Sequence, residues 1–129
     1  MTQSAANILA DYLISEGIGN EGGQTPVAIW VSLEQEEPAE SITIYDTGGE
    51  APDTKEANVY RKTIQVRVRS DDYLSGYARQ ELIRNKLLGV NPISDIIRAF
   101  MLSDITAIGR DDKERFLFTA NYMFLIKGV

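Results

Sequence analysis

The sequence predicts a two-layer α+β domain: a mainly antiparallel sheet of about five strands with two helices packed on one face. Three observations carry this. Two segments space their apolar residues at three and four, the helical period, while five others are apolar throughout or alternate at two, the strand period. They follow in the order α, β, β, β, α, β, β, with no internal repeat, low-complexity tract or interdomain linker. Finally, two amphipathic helices cannot bury their stripes and also cover the inner face of five strands unless both lie on that sheet. At 129 residues the chain has the length of one domain, taken as 1–129, large enough for one hydrophobic core.

The first helix is placed at about residues 4–16, where Ala5, Ile8, Leu9, Tyr12 and Leu13 form one stripe, Ser4 is the N-cap and Gly17 the stop. After a Gly-rich polar stretch from Gly17 to Pro26, Val27 to Leu33 is β-branched and apolar enough for a buried strand. Glu34 to Glu40 reads as an acidic turn. Ser41 to Tyr45 is a strand that enters a tight loop at Asp46, Thr47, Gly48 and Gly49, whose glycines permit positive φ. Glu50 to Asn58, with Pro52 and little apolar content, reads as an exposed loop.

Thr63 to Arg69 alternates Ile64, Val66 and Val68 against Gln65, Arg67 and Arg69. A second helix is expected from Asp71 to Leu88, with Leu74, Tyr77, Ala78 and Leu82 as its inward stripe, Ile83 and Leu87 widening it, and Gly89 and Pro92 closing it. Two apolar runs follow, Ile96 to Leu102 and Phe116 to Ile126. Joined by a polar, turn-rich linker from Ser103 to Arg115, they most simply form an antiparallel hairpin. The last run is apolar on both faces, which a two-layer monomer leaves unexplained and a subunit interface would account for.

Composition narrows the function. The chain has no cysteine and no histidine, which removes disulfides, thiolate nucleophiles, the commonest neutral-pH general base and the commonest transition-metal ligand. A net charge of −6 disfavours nucleic-acid and anionic-membrane binding. No apolar run approaches a membrane span, and the first residues lack the basic and apolar regions of a secretion signal, so a soluble, intracellularly made protein is expected. No cofactor is expected.

Several local patterns have a chemical reading. Gly17, Gly19 and Gly22 match G-x-G-x-x-G, but a helix precedes and a strand follows, the reverse of a dinucleotide site, so they read as a plain connection. Ile44-Tyr45-Asp46-Thr47-Gly48 together with Ile108-Gly109-Arg110-Asp111 resembles the paired elements of retroviral-type aspartic proteases, whose dimers bring two such aspartates together. Here the long helical pattern stands where those proteases carry a flap hairpin. Asp46 therefore reads rather as a strand end, and Gly109-Arg110 as part of a hairpin loop. The acidic clusters Glu34 to Glu40 and Asp111 to Glu114 lack the spacing of an EF-hand and read as solvated turns. Arg67 and Arg69, following Arg61 and Lys62, form a basic stripe with two readings left open: a solvated strand face, or a contact surface for an acidic neighbour.

Taken in order, IYDTGG with a Pro-containing loop, TIQVRVRS, Asp-Tyr-x-x-x-Tyr-Ala leading a helix to Leu-Leu-Gly, and IGRDDKERFLFTANYMF resemble the tail terminator or minor capsid proteins of long-tailed bacteriophages. The resemblance is strongest from Ile44 to Phe124 and absorbs both protease-like fragments. It implies a non-enzymatic structural protein of the virion neck: a homo-oligomeric ring, usually a hexamer, that caps the tail tube protein, docks to the head-completion connector and leaves a lumen through which DNA passes. A head-closure role is the neighbouring alternative. On this resemblance Asp46, Thr47, Gly48, Gly49, Pro52, Arg67, Arg69, Gly109 and Arg110 are the candidate interface residues. Arg67 and Arg69 are expected to meet acidic residues of an adjacent subunit.

Overall fold

The computed structural model describes residues 4–21, 27–49, 59–89 and 96–127. Within them run α1 (Ala5–Ser15), β1 (Asn20–Glu21), β2 (Ala28–Val31), β3 (Ser41–Gly49), β4 (Val59–Ser70), α2 (Tyr73–Gly89), β5 (Ile96–Arg110) and β6 (Phe116–Lys127). The expected five strands are present, joined by the two-residue β1, in the order β1-β2-β3-β4-β6-β5. The pairs β3–β4, β4–β6 and β6–β5 are antiparallel, whereas β1–β2 and β2–β3 are parallel. Pro52, Gly22, Pro92 and the expected loop from Glu50 to Asn58 lie outside the described residues.

Alternation decides which face is buried. Ile44, Val66 and Ala120 are neighbours across three strands, as are Ile64 and Tyr122, and Val68 and Phe118, across two. All are buried in one cluster with Leu9 and Leu13 of α1 and Ile83 and Leu87 of α2, so both helices cover the same face. Each fully buried large apolar side chain such as Phe118, Phe124 or Leu9 contributes about 1.5 to 3 kcal/mol. The Ser4 hydroxyl accepts from the Asn7 amide at 3.2 Å, as an N-cap does, and Gly17 takes φ +74° where α1 stops.

Three expectations need correction. The first concerns α2, whose inward stripe is rotated: Ile83 and Leu87 are buried and Tyr77 packs on the core as expected, but Gly76 and Gln80 complete the buried face, while Leu74 is 75% exposed, Leu82 45% exposed and Ala78 also exposed. Two contacts set this rotation. The Gln80 amide donates to the carbonyls of Val66 at 2.9 Å and Phe118 at 3.2 Å, and Gly76 lets the helix sit directly on the Phe118 ring. A Cβ at Gly76 would lie 2.6 Å from Phe118 Cε2 and 3.0 Å from Ser70 Cβ. Helix propensity alone would make Gly76→Ala stabilising by about 1 kcal/mol, but overpacking costs about 1 to 3 kcal/mol. The net expectation is a lower thermal midpoint for Gly76→Ala, against a rise for the exposed Gly89→Ala control, whose Cβ meets nothing.

Second, the segment from Ser103 to Arg110 is strand and not linker, and the turn shrinks to residues 111–115. Asp111 builds that turn, accepting the amides of Lys113 at 3.0 Å and Arg115 at 2.9 Å. Four register shifts interrupt β5 against β6, each inserting an extra residue, so no period of two is visible in the sequence. Third, Asp46 to Gly49 continues β3 past a bulge between Asp46 and Gly48 and is not a tight loop. Gly48 and Gly49 take φ +104° and +129°, so their freedom serves an irregular strand.

Candidate functional site

The residues singled out by sequence fall into three separate places. At the end of β3, the Asp46 carboxylate accepts the amide of Ala6 at 3.0 Å, satisfying a first-turn donor of α1. Thr47 and Thr63 share a hydroxyl hydrogen bond of 2.8 Å across the bulge. Beside them a cavity of about 510 Å³ is lined by Ser4, Asp46, Gly48, Tyr60, Lys62 and Ile126. Asp46, Thr47, Gly48 and Gly49 are all exposed, so this corner is a surface.

The basic stripe sits elsewhere and is only partly on the surface. Arg69 is 2% exposed. Its guanidinium donates to the carbonyls of Pro38 at 2.7 Å, Glu36 at 3.2 Å and Ala39 at 3.2 Å. Because β2 and β3 are parallel, residues 32–40 must cross the sheet face opposite the helices, and Arg69 holds that crossover down. Arg115 assists by donating to the Glu36 carbonyl and to the Asp111 carboxylate, the latter at 2.7 Å. Burial, then the neighbouring Arg115 charge, pull Arg69 below the usual arginine value. Arg67 is half-buried and paired with Glu34 at 3.3 Å. In this structure Arg69 is buried, its Nε and Nη2 donate to three carbonyls of its own chain and its Nη1 lies 4.0 Å from Glu34, so the expected pairing with an adjacent subunit would have to replace these contacts.

Glu40 closes the same region. Its oxygens accept from Ser70 Oγ at 2.7 Å, the Asp71 amide at 2.8 Å and Arg79 at 3.2 Å, tying the crossover to the start of α2. Burial alone would raise its pKa, but these donors outweigh burial and hold the carboxyl below the ordinary value. A depressed folded-state pKa stabilises above the unfolded value and loses that contribution as pH falls through the folded one. Urea midpoints measured from neutral to acid pH should therefore fall more steeply for the parent chain than for Glu40→Gln.

Gly109 and Arg110 end β5. Gly109 has φ +110°, and Arg110 lies over the Phe116 ring at 4.6 Å while pairing with Glu114 at 2.8 Å. Across the sheet Gly109 shares a row with Leu117, Arg69 and Ser41, and Asp46 one with Ile64, Tyr122 and Met101. The two elements are therefore five residues along and three strands across from one another, about 17 Å by about 14 Å. A protease-like centre would need them together. The surface that sequence reasoning misses is the β5 edge, where Ile97, Leu102 and Ile108 are 39%, 55% and 47% exposed. Their apolar character is visible in the sequence, but Leu102 falls at the end of a run and Ile108 inside the expected linker.

What remains is a non-closed sheet with an exposed apolar edge and a structural, inward use for its conspicuous arginine. Compared with known proteins, the sequence matches the family described as Bacteriophage tail terminator protein over residues 12–127. The chain belongs to the bacteriophage tail terminator family. It is accordingly a structural protein of the virion, at the tail or neck. Among solved structures this tail terminator is similar in fold to a chain from "Virion of native gene transfer agent (GTA) particle", with a TM-score of 0.70 and 11% identity over 97% of this chain and 96% of that one. No curated protein matches it.

Proposed function

We propose that this tail terminator acts as a closed ring of identical subunits, a hexamer, at the head-proximal end of the tail. There it caps the tail tube protein and docks to the head-completion connector, while DNA passes through the lumen without specific binding. One observation carries the reading beyond the family: the sheet ends in a long edge strand, β5, that leaves the large apolar side chains Ile97, Leu102 and Ile108 partly exposed. A closed ring buries such an edge in every copy by one repeated heterologous contact. The exposed corner at Asp46 to Gly49 and the Gly109-Arg110 end lie at opposite ends of the strands. They supply contacts to two different ring neighbours, one toward the tail and one toward the head.

Electron microscopy and mass photometry of the purified chain, alone and with tail tube protein, test this. Rings should be seen, and tube growth should stop where they bind; a chain that stays monomeric in both settings and leaves tube growth unaltered refutes it. Asp46→Asn separates this role from acid protease chemistry. The variant should assemble normally and lose little stability, about 0.3 to 1 kcal/mol from the lost charge at the start of α1, because the introduced side-chain amide oxygen still accepts the Ala6 N–H.

A further inference from the structure

The crossover of residues 32–40 is attached to the sheet in a different way from either helix. None of its residues belongs to the buried apolar cluster or packs against it, and its only large apolar side chain, Leu33, is 64% exposed. Polar contacts hold it. Besides the carbonyls gripped by Arg69 and Arg115, Glu34 faces Arg67 and Arg69, Glu40 meets Arg79, and Glu36 and Glu37 reach Lys113 at 3.2 and 3.0 Å. Asp111 pairs with Arg115 at 2.7 Å. Five cations thus meet five carboxylates, with Asp112 at the rim of the cluster and the Tyr45 phenol beside Glu34.

Two of those cations are buried. Arg69 and Arg115 are 2% and 5% exposed, and their like charges act on one another where little water can reach. The surrounding carboxylates make this tolerable, because a buried charge without compensation is strongly destabilising. The floor adds a second load. Ser41 Oγ and Thr43 Oγ1 lie on the sheet face that the crossover covers, both buried and without a hydrogen-bond partner among the described residues. Lifting the crossover would hydrate both hydroxyls and both guanidinium groups. On the opposite face the helices are held by apolar packing, which does not depend on the charge of these groups.

We propose that residues 32–40 form a charge-held strap that lifts as a unit when its carboxylates are neutralised, uncovering the sheet face of β3 and β4 while both helices stay packed. The acid range is where this happens. A hydrogen bond from Lys113 holds the Glu37 carboxyl below its usual value, and at Asp111 burial is outweighed by the amide and guanidinium of Arg115, as burial is outweighed at Glu40. Such groups stabilise the closed form above the ordinary carboxylate pKa and cease to do so as pH falls through their lowered values, so lifting belongs below about pH 4. At neutral pH the strap is shut.

Because the chain has no cysteine, single thiols report on the two faces separately. Ser41→Cys places one under the strap, where the hydroxyl it replaces has no partner, and Val66→Cys places one under the helices. Each is reacted with a dithiodipyridine, and its rate is divided by that of an unfolded control at the same pH. Between neutral pH and about pH 3 the Ser41→Cys thiol should gain about tenfold or more in relative rate, with the Val66→Cys thiol still protected and the far-UV circular dichroism unchanged. Adding Glu34→Gln and Asp111→Asn, which remove two charges and keep the acceptor oxygens, should produce a gain at Ser41→Cys alone without acid. Thiols that gain reactivity together, in acid or in the charge-removed chain, make the opening global and overturn the strap. So does a Ser41→Cys thiol that stays protected in acid.

Discussion

Arg69→Ala will unfold in urea at a markedly lower midpoint, with a loss of about 3 kcal/mol. Truncation removes three charge-assisted hydrogen bonds and leaves the carbonyls of Glu36, Pro38 and Ala39 in a region where the guanidinium itself is buried. Relief of repulsion from Arg115 offsets a part of this, which keeps the loss at the low end for a broken buried charge contact. Arg69→Lys should rescue little, because an ammonium cannot span three carbonyls that a planar fork reaches together. The same loss in Arg69→Glu would be read in an assembly assay as a failed interface. Measuring the monomer's unfolding separates the two, and a midpoint unchanged by Arg69→Ala would refute the idea that this side chain anchors the crossover.

Gly49→Ala will cost about 3 kcal/mol. A Cβ at Gly49 would run into the Arg61 carbonyl oxygen and lie 2.9 Å from Lys62 Cα, both backbone atoms of the paired strand, and the φ of +129° is itself strained for any L side chain. Gly48→Ala provides the internal comparison: its φ is +104°, but a Cβ there meets nothing within 4 Å. It should lose only the conformational part, about 1 kcal/mol. Equal losses at the two positions, measured by urea unfolding, would remove the steric argument.

How far these properties are legible in the sequence depends on whether each residue's environment is local. The Ser4 cap, the stop at Gly17 and the inward face of β4 follow from neighbours in sequence, and the structure has them as expected, whereas β6, apolar on both faces, does not announce which side turns inward. Alternation puts Arg69 on the correct face of β4, opposite Val68, yet its burial depends on a crossover thirty residues earlier whose path is set by parallel pairing of β2 with β3. Nothing in Glu34 to Glu40 announces that pairing. In α2 the apolar spacing of Leu74, Ala78 and Leu82 competes with Gly76 and Gln80. The outcome turns on Phe118 and on two carbonyls contributed by other strands. The scattered placement of Asp46, Arg69 and Gly109 has the same origin: motif order fixes family membership, whereas register fixes which residues meet.

The extra residues inserted along β5 also bear on what happens before assembly. A long, flat, apolar outer strand would template fibril-like stacking between copies of the chain. Kinks every few residues spoil the regular spacing such stacking needs. An edge interrupted in this way is a poor template for strand-on-strand stacking, although its large apolar side chains stay exposed.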